Sequence, residues 1–305
     1  MGASNSVVSS PAAAPTKKCL ECQENSSLLK DCELLEDMFE EIYEHGTVVA
    51  QLLAANSEIV TLIVGEEKVR ITCHKALLGY FSRFFEAALY GGFSEAAAME
   101  ISLPDEKVEN MKCFVAWLYI GSLMIACNRG VVEIKNTHEY DSNGVEICSH
   151  GRENGPETHE RKLNVLSLWV LGDKLMCPSF ANSVINACLI FYDDESPYEL
   201  PEVKYVFENT TPNSELRVLF KRLIAADGPL RKGRHTEDKN TTEREAWLSI
   251  LENGGEIVRE CVQDGFTNYI PRDDKESPFA KENLAKFMQN VPEITAEEWI
   301  KKRCP

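Results

Sequence analysis

Cys73 and His74 are neighbours in the stretch CHKALLGYFSRFF, residues 73–85. A thiol beside an imidazole is the raw material of a nucleophile and its base, provided sulfur and ring nitrogen lie within hydrogen-bond reach. The local pattern argues against that use. Residues 68–73 alternate as a strand, and adjacent strand side chains point to opposite faces. The expected role is structural, with Cys73 in the core and His74 at a strand-to-helix junction. Metal chemistry fares no better. Cys19 and Cys22 form a lone CxxC followed nearby only by Cys32 and His45, whereas a structural zinc site takes four ligands. His138, His150 and His159, with Cys127 and Cys148, supply ligand types without ligand spacing. There is no GxxxxGK[ST], no GxGxxG after a strand, no GxSxG and no HExxH. The chain therefore reads as a non-enzyme without catalytic residues, cofactor or metal.

One motif carries a different chemistry. Met1-Gly2-Ala3-Ser4-Asn5-Ser6 fits M-G-x-x-x-[ST], the acceptor pattern for N-myristoylation at Gly2. A single acyl chain binds membranes only marginally, and Lys17, Lys18 and Cys19 offer a second signal. Membrane association is expected only if Gly2 is acylated, because no apolar run nears the roughly 18 residues of a span. The net charge of −17 works against nucleic-acid binding, whose affinity comes from Lys and Arg. Arg231-Lys232-Gly233-Arg234-His235 reads as a solvated linker. Eleven cysteines, an odd number irregularly spaced with no secretory signal before them, suit a reducing compartment, cytoplasmic or nuclear.

The elements that must hold these residues follow from periodicity. Residues 1–25 are rich in Ser, Ala and Pro and are expected to be disordered. Leu28, Cys32, Leu35, Phe39 and Ile42 mark an amphipathic helix over 26–44, ended by Gly46, with a second helix at Val48–Ala55. Ile59–Val64 is apolar on both faces and so expected to be a central strand, with Gly65-Glu66-Glu67 as the turn into Lys68–Cys73. Residues 75–90 read as one helix stopped by Gly91-Gly92, and Met99–Leu103 as a strand. Pro104-Asp105-Glu106 is expected to open a helix burying Val108, Met111, Phe114, Val115 and Leu118. Residues 122–161 change character and read as an insertion. Its expected strands are Leu123–Ala126, Val131–Lys135 and Val145–Cys148, and 149–161 is expected to be a loose loop. Helices follow at Leu163–Met176, Pro178–Tyr192, Glu199–Glu208, Ser214–Ala226, Glu243–Leu251, Gly255–Asp264 and Phe279–Gln289, with a linker at 228–242.

Several motifs occur in a fixed order: Ser57–Gly65 (SEIVTLIVG), His74–Leu78 (HKALL), Ser82–Phe85 (SRFF), Gly91–Glu95 (GGFSE), Val115–Gly121 (VAWLYIG), Leu171–Leu175 (LGDKL) and Tyr205–Thr210 (YVFENT). This order resembles the BTB/POZ domain, particularly the filamentous-fungal type with a helical C-terminal extension. The resemblance covers about residues 47–225. It implies an α+β fold, a small β-sheet capped by α-helices, here with an N-terminal helix and an all-helical C-terminal extension. The implied division is 1–25 tail, 26–56 N-terminal helices, 57–195 BTB/POZ domain with its insertion at about 122–161, and 196–305 helical region.

The resemblance also implies a protein-interaction module that forms homo- or hetero-oligomers. Family members carry an Asp near the first strand and an Arg after the His, forming a charged pocket by the dimer interface. The matching positions here are Glu58 and Lys75, which keep the charges but lose the guanidinium fork. Many relatives are adaptors of cullin-type ubiquitin ligases, through a surface that maps here to Tyr119 and Leu163–Met176, beside the insertion. The implied interaction residues are thus Glu58, His74, Lys75 and Tyr119, and the implied partner is the chain itself or a cullin. The alternative is a myristoylated peripheral membrane scaffold that recruits partners through the same domain.

Overall fold

The computed structural model describes residues 43–127, 130–133, 139–140, 146–147, 156–191, 198–227, 241–268, 283 and 285–304. The expected tail and most of the expected helix over 26–44, with Gly2, Cys19, Cys22 and Cys32, lie outside the described residues.

Residues 43–55 form a helix, α1, that runs through Gly46. The sequence reading ended a helix there. Glycine weakens a helix interior by about 1 kcal/mol, and burial of Val49 and Leu52 on the next turns outweighs it. Three strands follow the expected logic. β1 (Ile59–Val64) is central, pairing antiparallel with β2 (Val69–His74) and parallel with β3 (Glu100–Leu103). Val60, Leu62 and Val64 are fully buried on one face. Gly65 and Lys68 turn the β1–β2 hairpin with positive φ of 72° and 56°.

The expected single helix over 75–90 is two helices, α2 (Lys75–Phe81) and α3 (Arg83–Tyr90). Ser82 breaks it with extended backbone, accepting the Phe85 N–H at 3.2 Å and donating to the Leu175 carbonyl at 2.6 Å. Ser82 is fully buried, so the break satisfies a polar group that a continuous helix would strand. Short α4 (Ser94–Ala98) leads into β3. The helix expected to open at Pro104 begins later, as α5 (Val108–Ile120), because 104–106 form a turn whose Glu106 pairs with Lys174 at 3.2 Å. Gly121 caps α5 with φ 79°, and a Cβ there would come within 2.8 Å of His45.

Within 122–161 lie two strand pairs, β4 (Met124–Cys127) with β5 (Gly130–Glu133), and β6 (Glu139–Tyr140) with β7 (Glu146–Ile147). Helix α6 (Pro156–Lys174) starts well before the expected Leu163, inside the stretch read as a loose loop. Pro156 at the first helical position, followed by Glu157 and Glu160, explains the early start. α7 (Pro178–Phe191), α8 (Leu200–Asn209), α9 (Glu215–Asp227), α10 (Thr241–Asn253) and α11 (Glu256–Asn268) complete the helical region. Of the helix expected at Phe279–Gln289, the described residues show a 3-10 turn at Ala285–Phe287. Two helices were not expected: α4 and α12 (Ala296–Arg303).

A single core runs from the sheet into these helices. Phe85, Phe114, Trp117, Trp169, Phe180 and Phe220 all belong to it. Polar pins hold the layers in register. Asn110 of α5 donates to Ser167 of α6 at 3.0 Å, and the Arg83 N–H donates to the Met176 carbonyl at 3.3 Å. Of the expected buried face of α5, Met111, Phe114 and Leu118 are buried and Val108 and Val115 half-buried.

Candidate interaction site

β2 ends at His74, which is also the extended N-cap residue of α2. Cys73 faces the core and is almost wholly buried. Burial pushes its thiol up to about 12, and hydrogen bonds from Tyr119 and the His74 backbone offset this only in part. At neutral pH such a thiol stays protonated and is a poor nucleophile. The His74 ring is engaged elsewhere. Tyr119, near the end of α5, accepts the His74 backbone N–H at 3.2 Å and shares a 2.7 Å hydrogen bond with Nδ1. Burial first, then the Cys73 thiol, raises the Tyr119 hydroxyl to about 12. His74 and Tyr119 thus meet across 45 residues, pinning the strand-to-helix junction onto α5.

Glu58 and Lys75 also meet. Lys75 Nζ lies 3.0 Å from Glu58 Oε2, and the Lys75 backbone N–H donates to the Glu58 carbonyl at 2.8 Å. Asn56 braces the acid, donating to Oε2 at 3.2 Å and accepting the Glu58 N–H at 2.7 Å. The Lys75 hydrogen bond, then that of Asn56, holds the Glu58 carboxyl below the usual carboxylate range. The two ends differ in exposure. The Lys75 side chain is 14% exposed and lies 4.8 Å from the Tyr90 ring centroid, while the Glu58 side chain is 54% exposed. The arrangement presents a fixed carboxylate beside exposed Ile59. It can accept a basic or hydrogen-bonding group from another molecule.

Sequence reasoning missed the residues that complete this site. Tyr90 stacks its edge on Trp299 of α12, with ring centroids 5.3 Å apart. Cys304, just past α12, brings Sγ within 3.9 Å of Asn56 Nδ2. Burial first, then Cys304, pushes the Tyr90 hydroxyl upward. A signal for α12 was present: Thr295-Ala296-Glu297-Glu298 is a capping box, and both of its reciprocal hydrogen bonds form.

The region around Tyr119 offers a second surface. Ile120 at the tip of α5 is 45% exposed, and Met176 is 47% exposed. From the stretch Leu163–Met176, Val165–Leu171 are in the core, and Asp173, Lys174 and Met176 face out. Met176 borders a cleft of about 120 Å³ with His45, Phe81, Val291 and Ile294. His45 stacks on Phe81 at 4.8 Å and lies 3.1 Å from the Leu118 carbonyl through Nε2. Burial lowers its pKa, and that backbone contact opposes the shift.

Among the described residues no group of three or more His, Cys, Asp or Glu could hold a metal ion, and no helix is long and apolar enough to cross a membrane. Compared with known families, residues 52–140 match the model of the BTB/POZ domain. No curated protein matches the chain.

Proposed function

We propose that this chain, which carries a BTB/POZ domain over residues 52–140 and hence a protein-interaction module, works without catalysis, by assembling with a second copy or with another protein. The observation that supports this reading is the Glu58–Lys75 pair, a half-exposed carboxylate on a tucked lysine beside exposed Ile59. Apolar contact supplies area in an interface, and a fixed charge selects partner and register. In this reading the module spans 57–195 with its insertion at about 122–161, and 196–305 is a helical extension of the fungal type.

Lys75→Glu sets two carboxylates side by side at this patch. Sedimentation velocity is expected to show self-association weakened at least about tenfold. Because the Lys75 side chain is only 14% exposed and lies against Tyr90, the melting temperature should also fall, so association is compared well below the variant's own midpoint. Wild-type protein that stays monomeric at about 100 µM, and binds no other protein through this patch, overturns the reading.

A narrower form is an adaptor of a cullin-type ubiquitin ligase. Exposed Ile120 beside Tyr119, with Asp173, Lys174 and Met176 outward at the end of α6, supports it. Ile120→Glu in the full chain is expected to abolish co-purification of a cullin, while wild type retains it. Absence of a cullin from wild type and from a deletion of 122–161 alike removes this form. The membrane alternative rests on the Met1–Ser6 pattern with Lys17, Lys18 and Cys19 behind it, all outside the described residues.

A further inference from the structure

The last helix is seated on the BTB/POZ domain by a small set of side chains. Trp299 packs edge-on against Tyr80 and Tyr90, with centroids 5.9 and 5.3 Å away. Its floor is Gly79 of α2, where a Cβ would come 2.6 Å from Tyr90 and 3.0 Å from Trp299. One turn on, Arg303 donates from Nε to Glu86 Oε1 of α3 at 2.8 Å, and Nη2 lies 2.8 Å from the same oxygen. Tyr80 donates to the Ile294 carbonyl at 3.0 Å. The α2–α3 face is therefore shaped for a short helix with tryptophan and, four residues later, arginine.

Three observations mark this seat as one that exchanges its occupant. First, α12 has eight residues, too few to be stable alone, and the Trp299 indole N–H is buried with no acceptor among the described residues. Second, the chain is anchored just upstream. Asn182 of α7 donates to the Gln289 carbonyl at 2.9 Å and accepts its N–H at 2.7 Å. Only 290–295, containing Pro292, then connects this anchor to α12, and a short hinge of this kind favours swapping of the element beyond it. Third, the seat adjoins the Glu58–Lys75 site through Tyr90 and Cys304, so an exchanged helix would lie at the patch assigned to association.

We infer that the Gly79–Tyr80–Glu86–Tyr90 face is a docking site for a Trp-x-x-x-Arg helix, and that in the assembled protein it receives α12 of a second copy by exchange. This inference rests on the self-association reading above.

Two full-length variants test it by charge complementation. Glu86→Arg and Arg303→Glu each set like charges at the seat, in one chain or between identical copies. When the two are co-expressed with different tags, an exchanged heterodimer carries opposite charges at both of its seats. Because the like charges meet in the closed chain and in the exchanged homodimer alike, each variant alone should dimerise no better than wild type, whereas native mass spectrometry of the mixture should show heterodimer well above the statistical proportion. A statistical mixture, with wild type dimeric, overturns the exchange and leaves self-association standing. Monomers in every sample overturn both.

Discussion

Trp117→Ala is expected to destabilise the folded protein by about 3–5 kcal/mol, the range for removing a buried aromatic side chain. Trp117 is the point where the sheet's helices meet the helices beyond the insertion. Its ring lies 5.4 Å from Phe81, 5.2 Å from His45 and 5.3 Å from Phe180 of α7. Its indole N–H donates to Ser183 at 3.1 Å. Truncation opens a cavity lined by three rings and takes away the donor to the Ser183 hydroxyl, which keeps its own bond to the Ser179 carbonyl. Urea denaturation should show a lower midpoint with an unchanged slope, the sign of lost stability within one cooperative unit. Trp117→Phe should lose less, since it keeps most ring contacts and forfeits the hydrogen bond. A loss for Trp117→Ala below about 1 kcal/mol would mean that α7 does not share the core of the sheet.

Arg217→Ala should be nearly as damaging, about 3–5 kcal/mol, for a different reason. Arg217 on α9 is 1% exposed and ties three helices together. It donates to the Phe207 carbonyl of α8 at 3.0 Å and the Thr210 carbonyl at 3.2 Å. It also pairs with Glu256 at 3.0 Å and Glu260 at 3.6 Å, both on α11, and its guanidinium lies 4.4 Å from the Phe207 ring centroid. Removal leaves Glu260, itself 11% exposed, with Lys221 as its remaining ion-pair partner at 3.6 Å. The outcome is read by chemical denaturation and by limited proteolysis, which should cut the α8–α11 region first. Arg217→Lys should recover only part of the loss, because an ammonium cannot serve two carbonyls and two carboxylates from one plane. Wild-type resistance to protease in Arg217→Ala would remove this account of the helical region.

Some of this architecture is legible in the sequence alone. β1 was expected to be central because Ile59–Val64 offers apolar residues to both faces, and it pairs on both edges. The resemblance carried by HKALL, GGFSE and VAWLYIG pointed to the BTB/POZ domain, which the match over 52–140 supports. Two of the errors share a cause. Ser82 breaks a helix because its hydroxyl reaches Leu175, 93 residues away, and Gly46 fails to break one because distant packing holds Val49 and Leu52. Local pattern cannot register either contact. The missed α12 differs, since its capping box was visible and only its short length hid it.

The candidate site divides along the same line. Glu58 and Lys75 could be nominated as a pair, and His74 and Tyr119 as family-implied positions, because motif order assigns residues to places on a domain. No spacing announces that Tyr119 holds His74, that Tyr90 lies over Lys75, or that Trp299 and Cys304 close on Tyr90 and Asn56. By itself the sequence determined most of the elements and their order, because strand alternation, helical period and caps act within a few residues. Tertiary structure decided which side chains finish the site. Those contacts span 15 to 248 residues of chain, and the packing of a shared core brings the most distant positions together.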